Sequence, residues 1–125
     1  MPYARISLQR GKPAHYLRAL SQGLHDALVE TFGIPVGDRF HVIHQHEPGE
    51  LFVDADYLGG PRSADYVLIA ITGGKPRDTV TKRRFYHMLT QRLSASIGLD
   101  PEDVMIVIST TAPEDWSFGG GRGNE

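Results

Sequence analysis

The sequence predicts an α/β protein made of two β-α-β units that share one four-stranded mixed sheet, both helices on one face. Three observations predict it. Two amphipathic helical stretches each stop at a glycine, Gly33 and Gly98, the usual left-handed end of a helix. Extended apolar or alternating runs flank each stretch. Finally, a shift of 65 positions lays one half on the other: Leu20 on Phe85, Leu24 on Leu89, Leu28 on Leu93, Phe32 on Ile97 and Gly33 on Gly98. Asp38 then meets Asp103, and Val42-Ile43 meets Val107-Ile108. Any two such units share rough spacing, but the matches together favour a duplication. The expected unit is a single domain over residues 1–125, with halves of about 2–60 and 61–125.

The elements follow in order. PYARISL alternates as a short strand, and GKPAH is a break whose proline suits a helix start. Leu17, Leu20, Leu24, Ala27, Leu28 and Phe32 keep helical spacing up to Gly33. FHVIHQH alternates again as a strand. EPGELFVDADYLGGPRS is a long connection with a short extended piece expected around LFV. YVLIAIT is a continuous apolar run, the signature of a buried strand. RDTVTKRRFYHMLTQRLSASIG is an amphipathic helix, and VMIVIST is a second buried strand. Each strand–helix–strand unit makes a right-handed parallel pair.

Composition narrows the function classes. A net charge of −2 offers no electrostatic footprint for nucleic acid or an anionic membrane. There is no cysteine, hence no disulfide, thiolate nucleophile or cysteine metal site. MPYARISLQRGK lacks the apolar core of a signal peptide and no run reaches membrane-spanning length, so a cytoplasmic protein is expected. The two apolar strands alternate nothing polar, so the sheet face away from the helices also needs cover. Subunit association in a closed ring is the ordinary solution.

The topology also draws together residues with chemistry. If a local two-fold sets the first strands of the halves side by side and antiparallel, Pro2 at the start of one lies near Lys75-Pro76-Arg77 after the end of the other. Asp38 enters the second strand at that same edge. Each has an inert explanation: proline at a strand start costs no ladder donor, Asp38 suits a turn, as its repeat mate Asp103 is expected to, and loop cations are commonly solvated. Their convergence favours a site. With Met1 removed, as expected before a small second residue, Pro2 bears a secondary amine. A free α-amine titrates at about 7.7–8.0, and burial beside cations lowers that value. Such an amine is a general base able to take a proton next to a carbonyl, or, if it stays charged, an acid. Lys75 and Arg77 would bind a substrate carboxylate and offset enolate charge; Asp38 would orient the amine or activate a water. No metal or organic cofactor is required.

These residues resemble the tautomerase superfamily, and within it the malonate semialdehyde decarboxylase group. N-terminal Pro2, the duplicated units, FGIPVGDRFHVIHQH, YLGGPRSADYVLIAI and above all EDWSFGGGRG carry the likeness, which runs from Pro2 to about Arg122. The resemblance implies a homotrimer with three sites near subunit interfaces and Pro2 as catalytic residue. It implies an assisting carboxylate at Asp38 and carboxylate binding by two arginines. Arg77 matches the second, Lys75 replaces the first, and GGKPR carries one extra residue. Trp116 and Phe118 match aromatics that wall the family's pocket. The expectation is a cofactor-free tautomerase for small 2-oxo or enol carboxylic acids. Decarboxylase or hydratase activity is the first alternative, and a trimeric binding module without catalysis the second.

Other motifs are weaker. His44 and His46 share one face of their strand and His41 the other, with no acidic residue at metal-ligand spacing. Lys82-Arg83-Arg84 with Arg92 reads as a solvated helix face. GGPRS and GGGRG lack the strand-to-helix setting of a phosphate loop.

Overall fold

The computed structural model describes residues 1–124; Glu125, the last residue of the expected domain, lies outside them. Strand β1 (Pro2–Gln9) leads to helix α1 (Ala14–Phe32) and strand β2 (His41–His46). Strand β3 (Val67–Gly73), helix α2 (Thr79–Ile97) and strand β4 (Val104–Thr110) repeat the cycle. The sheet order is β2-β1-β3-β4, with β1 parallel to β2, β3 parallel to β4, and β1 antiparallel to β3.

The duplication is visible in the registers. Moving α1 by 65 residues reproduces the bounds of α2. Ala4 pairs with His41 and Val67 with Val104, 37 residues further on in both cases. In the antiparallel pair, Pro2 opposes Gly73 and Leu8 opposes Val67. Those two pairings exchange under the 65-residue shift, while Arg5 opposite Ala70 maps onto itself. A local two-fold axis therefore passes through the Arg5–Ala70 pair.

Each helix buries one stripe on the sheet. Leu20, Leu24 and Leu28 of α1, and Phe85, Leu89 and Leu93 of α2, meet Ala4, Ile6, Leu8, Val67, Ile69 and Ile71 in one core. The helices pack closely at Gly23, where a Cβ would stand 2.8 Å from Leu93 Cδ2. Gly33 and Gly98 end the helices with φ of 69° and 66°, a conformation that favours glycine. Asp78 caps α2, its carboxylate accepting the Thr81 N–H at 2.8 Å.

Two expectations need correction here. Leu51–Val53 forms no strand, and Phe52 is exposed; the piece pairs with neither outer strand of the sheet, β2 or β4. Asp103 is not a plain turn residue. It is buried and accepts from Ser63 N at 2.6 Å and Ser63 Oγ at 2.7 Å, anchoring the chain just before β3.

Candidate active site

The site is built at the edge of the sheet where β1 begins and β3 ends. Pro2 is buried opposite Gly73, and the chain turns away through Gly74, Lys75 and Arg77 before α2. Gly74 is a close-approach position: its N–H donates to Met1 O at 3.3 Å, and a Cβ there would lie 2.8 Å from Met1 Cε and 3.0 Å from Trp116 Nε1. Pro2, Lys75 and Arg77 line one cavity, together with Met1 and the apolar Phe32, Ile34, Ile71 and Ile108. As it stands, with Met1 in its wall, the free volume is about 10 Å³, the room of a single water.

Asp38 reaches the same edge from the loop before β2. That loop is held by Asp38 N–H to Pro35 O at 3.0 Å and by the hydrogen bond of His25 Nε2 with Val36 O at 2.7 Å. The Asp38 side chain is 14% exposed, and its Oδ2 lies 3.1 Å from the Met1 ammonium. The Pro2 nitrogen is one residue along, within about 3.6 Å of chain. An amine exposed at Pro2 therefore stays in the electrostatic range of Asp38.

Arg77 is held in place. Its guanidinium donates to Phe32 O at 3.0 Å and to Lys75 O, and sits 4.9 Å from the centroid of the Phe32 ring. Burial pushes it below its usual pKa. Lys75 is exposed. Neither cation has a carboxylate partner among the described residues.

The other end of the local two-fold shows what sets this edge apart. The residues 65 positions before Lys75 and Arg77 are Arg10 and Lys12. Arg10 Nε pairs with Glu47 at 2.6 Å, and Lys12 Nζ with Asp65 at 2.5 Å, a hydrogen bond that pushes the lysine pKa up. Asp103, the mate of Asp38, is taken by Ser63, and Val67 stands where Pro2 would be. One edge is thus neutralised within the chain, whereas the other keeps unpaired cations beside the N-terminal amine.

The aromatic residues stand at the rim. Trp116 lies over Gly74, donates from Nε1 to Thr111 Oγ1 at 2.7 Å, and stacks on Phe118 with ring centroids 5.5 Å apart and planes at 10°. Phe118 is one ring further out and meets Phe40 at 5.8 Å. Asp38, Trp116 and Phe118 are not in the cavity wall; Asp38 meets it at Met1, Trp116 at Gly74, and Phe118 only through Trp116.

Lys82 is the residue that sequence reasoning missed. Assigned to a solvated face, it lines the cavity instead. Its signal was available: it precedes Phe85 and Leu89 by three and seven residues, on the buried stripe. Arg92 is also no free surface charge, since it bridges to Glu30 and to Asp26 across the helix pair. His44 accepts from Arg5 Nε at 3.3 Å. Among the described residues no three His, Asp or Glu side chains group as a metal site, and no helix is long and apolar enough to cross a membrane.

Comparison with known proteins agrees with this architecture. Two family patterns, each described as tautomerase enzyme, match residues 2–60 and 38–119. The probable tautomerase YusQ of Bacillus subtilis strain 168 is 35% identical over 122 residues, spanning 98% of this chain and 96% of its own. The probable tautomerase YrdN of the same organism is 31% identical, spanning 98% and 94%. A malonate semialdehyde decarboxylase with decarboxylase and hydratase activities, solved in wild-type, mutant and inactivated forms, superimposes with a TM-score of 0.91 at 34% identity, over 96% of this chain and 92% of that one. A second malonate semialdehyde decarboxylase, inhibited by 3-bromopropiolate, gives 0.88 at 38% identity, over 96% and 91%. A fused 4-OT that is a symmetric trimer shares the fold, with a TM-score of 0.79 at 22% identity over 98% and 95%. With its duplicated β-α-β sheet and these relatives along nearly its whole length, the chain belongs to the tautomerase superfamily of enzymes.

Proposed function

We propose that the protein is a cofactor-independent tautomerase for small 2-oxo and enol carboxylic acids, with the nitrogen of Pro2 as its proton-transfer group. The observation that carries this reading is the burial of Pro2 at the head of a cavity it shares with the unpaired cations Lys75 and Arg77. Removal of Met1 frees the amine and the space that Met1 lines. In the oxo-to-enol direction, the neutral Pro2 nitrogen takes the proton from the carbon next to the carbonyl. The C–H bonding pair becomes the new carbon–carbon double bond as the carbonyl π pair moves onto oxygen, and the resulting enolate takes a proton from water. The protonated amine then returns its proton to solvent. Lys75 and Arg77 bind the substrate carboxylate and offset the enolate charge, most strongly at the transition state. Asp38 orients the amine, and Trp116 and Phe118 shield the entrance. The apolar open face of the sheet supports a homotrimer, which would complete the walls around three sites.

The test combines mass spectrometry of the N-terminus with kinetics. A chain starting at Pro2, and a Pro2→Ala enzyme slowed by at least about tenfold on phenylenolpyruvate, are expected; Ala keeps a primary amine, so some activity survives. A retained or acylated Met1, or unchanged kinetics, overturns the assignment of Pro2. The likeness to two malonate semialdehyde decarboxylases supports a second reading, loss of carbon dioxide from a 3-oxo acid, whose carbon–carboxylate bonding pair leaves an enolate that the same cations would offset. Release of carbon dioxide from malonate semialdehyde, faster than phenylenolpyruvate turnover, would place that reaction first.

A further inference from the structure

Lys82 stands where the helix pattern calls for an apolar side chain. It shares a stripe with Phe85 and Leu89, both fully buried, and is itself only partly exposed. Its mate in the other half, 65 residues earlier, is Leu17, which packs against the core. A lysine here is disfavoured by partial loss of water. The first turn of α2 contains no acidic residue, and Lys82 has no ion-pair partner among the described residues. Asp78, four residues before it, has a carboxylate engaged by the Thr81 N–H. What Lys82 reaches is the wall of the cavity that holds Pro2, Lys75 and Arg77.

We propose that Lys82 is a substrate-binding residue and that the substrate is a short-chain dicarboxylate carbon acid. This rests on the tautomerase reading given above. Lys75, Arg77 and Lys82 are three cations in a cavity wall that contains no carboxylate, an excess that one substrate carboxylate leaves unmatched. The cations also arrive from two elements: Lys75 and Arg77 from the loop after β3, Lys82 from α2 itself. A substrate with an anionic group at each end engages both. Between them the cavity wall is apolar, formed by Phe32, Ile34, Ile71 and Ile108, which suits a short carbon chain.

The experiment compares the Pro2-terminated wild type with Lys82→Met and Lys82→Arg. The turnover arm measures kcat/KM for enol-oxaloacetate, a dianion, and for phenylenolpyruvate, a monoanion. Charged hydrogen bonds support a loss of about tenfold or more when one is removed. The dianion-to-monoanion ratio is therefore expected to fall by that factor in Lys82→Met and to recover in Lys82→Arg. The binding arm measures, by NMR titration, the affinity ratio for unreactive fumarate over crotonate, with the same expectation. An unchanged ratio in the binding arm overturns the assignment of Lys82. Absence of turnover in every enzyme, with the fumarate ratio still falling in Lys82→Met, overturns the tautomerase reading and leaves the dicarboxylate site standing.

Discussion

His41 opens β2 on its helix-facing side, where Nδ1 meets Ser21 Oγ at 2.8 Å and the ring stands edge-on to His25, centroids 6.3 Å apart. Burial, then Arg39 and His25, hold its pKa at about 4, below the ordinary 6.5. The unfolded chain therefore binds a proton at His41 between pH 6.5 and about 4 that the folded chain refuses. The stability due to neutral His41 is complete above pH 6.5 and is lost as pH falls toward 4. Urea midpoints should drop between pH 7 and pH 4.5 in the wild type, and drop less in His41→Gln, which has no proton to bind. Parallel profiles for the two proteins would remove His41 as the cause. At this scale Pro2, Asp38, Lys75 and Arg77 were legible because strand order alone brings them to one edge. Lys82 was not: a basic run on a helix looks solvated until the direction of each side chain is known.

The helices are the elements whose sequence periodicity translates most directly into packing. Leu89 lies at the centre of the α2 stripe, wholly buried among Phe85, Leu93 and the β3 residues. Truncating it removes apolar contact and leaves a cavity that rigid neighbours fill only partly. Leu89→Ala should lower unfolding free energy by about 2–5 kcal/mol in urea titrations; a loss below about 1 kcal/mol would mean that the helix is not docked as described. Extended segments were harder to read. LFV has strand-forming residues but pairs with neither outer strand, whereas YVLIAIT lies between two strands and pairs along both edges. Pairing is a property of neighbours, so composition identifies a candidate strand without saying whether it will be used.

Across the whole molecule, the sheet is covered on one face only. On the other, Leu68, Ala70, Met105 and Val107 of β3 and β4 line a groove of about 220 Å³ whose β1 side is Arg5 and Ser7, and Met105 and Val107 are 51% and 52% exposed. Phe52, Tyr57, Leu58 and Met105 continue that surface over the long connection. An apolar face of this extent in a 13.8 kDa chain fits the proposed trimer. Wild-type protein should sediment at three times the chain mass, and Met105→Lys should shift it to the chain mass by placing a charge in the contact. A monomeric wild type would overturn the proposal.

The sequence by itself determined the duplication, both helices with their glycine ends, the four strands and the convergence of Pro2, Asp38, Lys75 and Arg77. Those follow from periodicity and connection rules, which are local or topological. Only the tertiary structure decided which of two equivalent edges carries unpaired charge. Arg10-Gly11-Lys12 and Lys75-Pro76-Arg77 look alike along the chain, yet Glu47 and Asp65 reach the first pair through space and, among the described residues, no carboxylate pairs with the second. Coulomb energy depends on distance between side chains, and that distance exists only once the chain has folded.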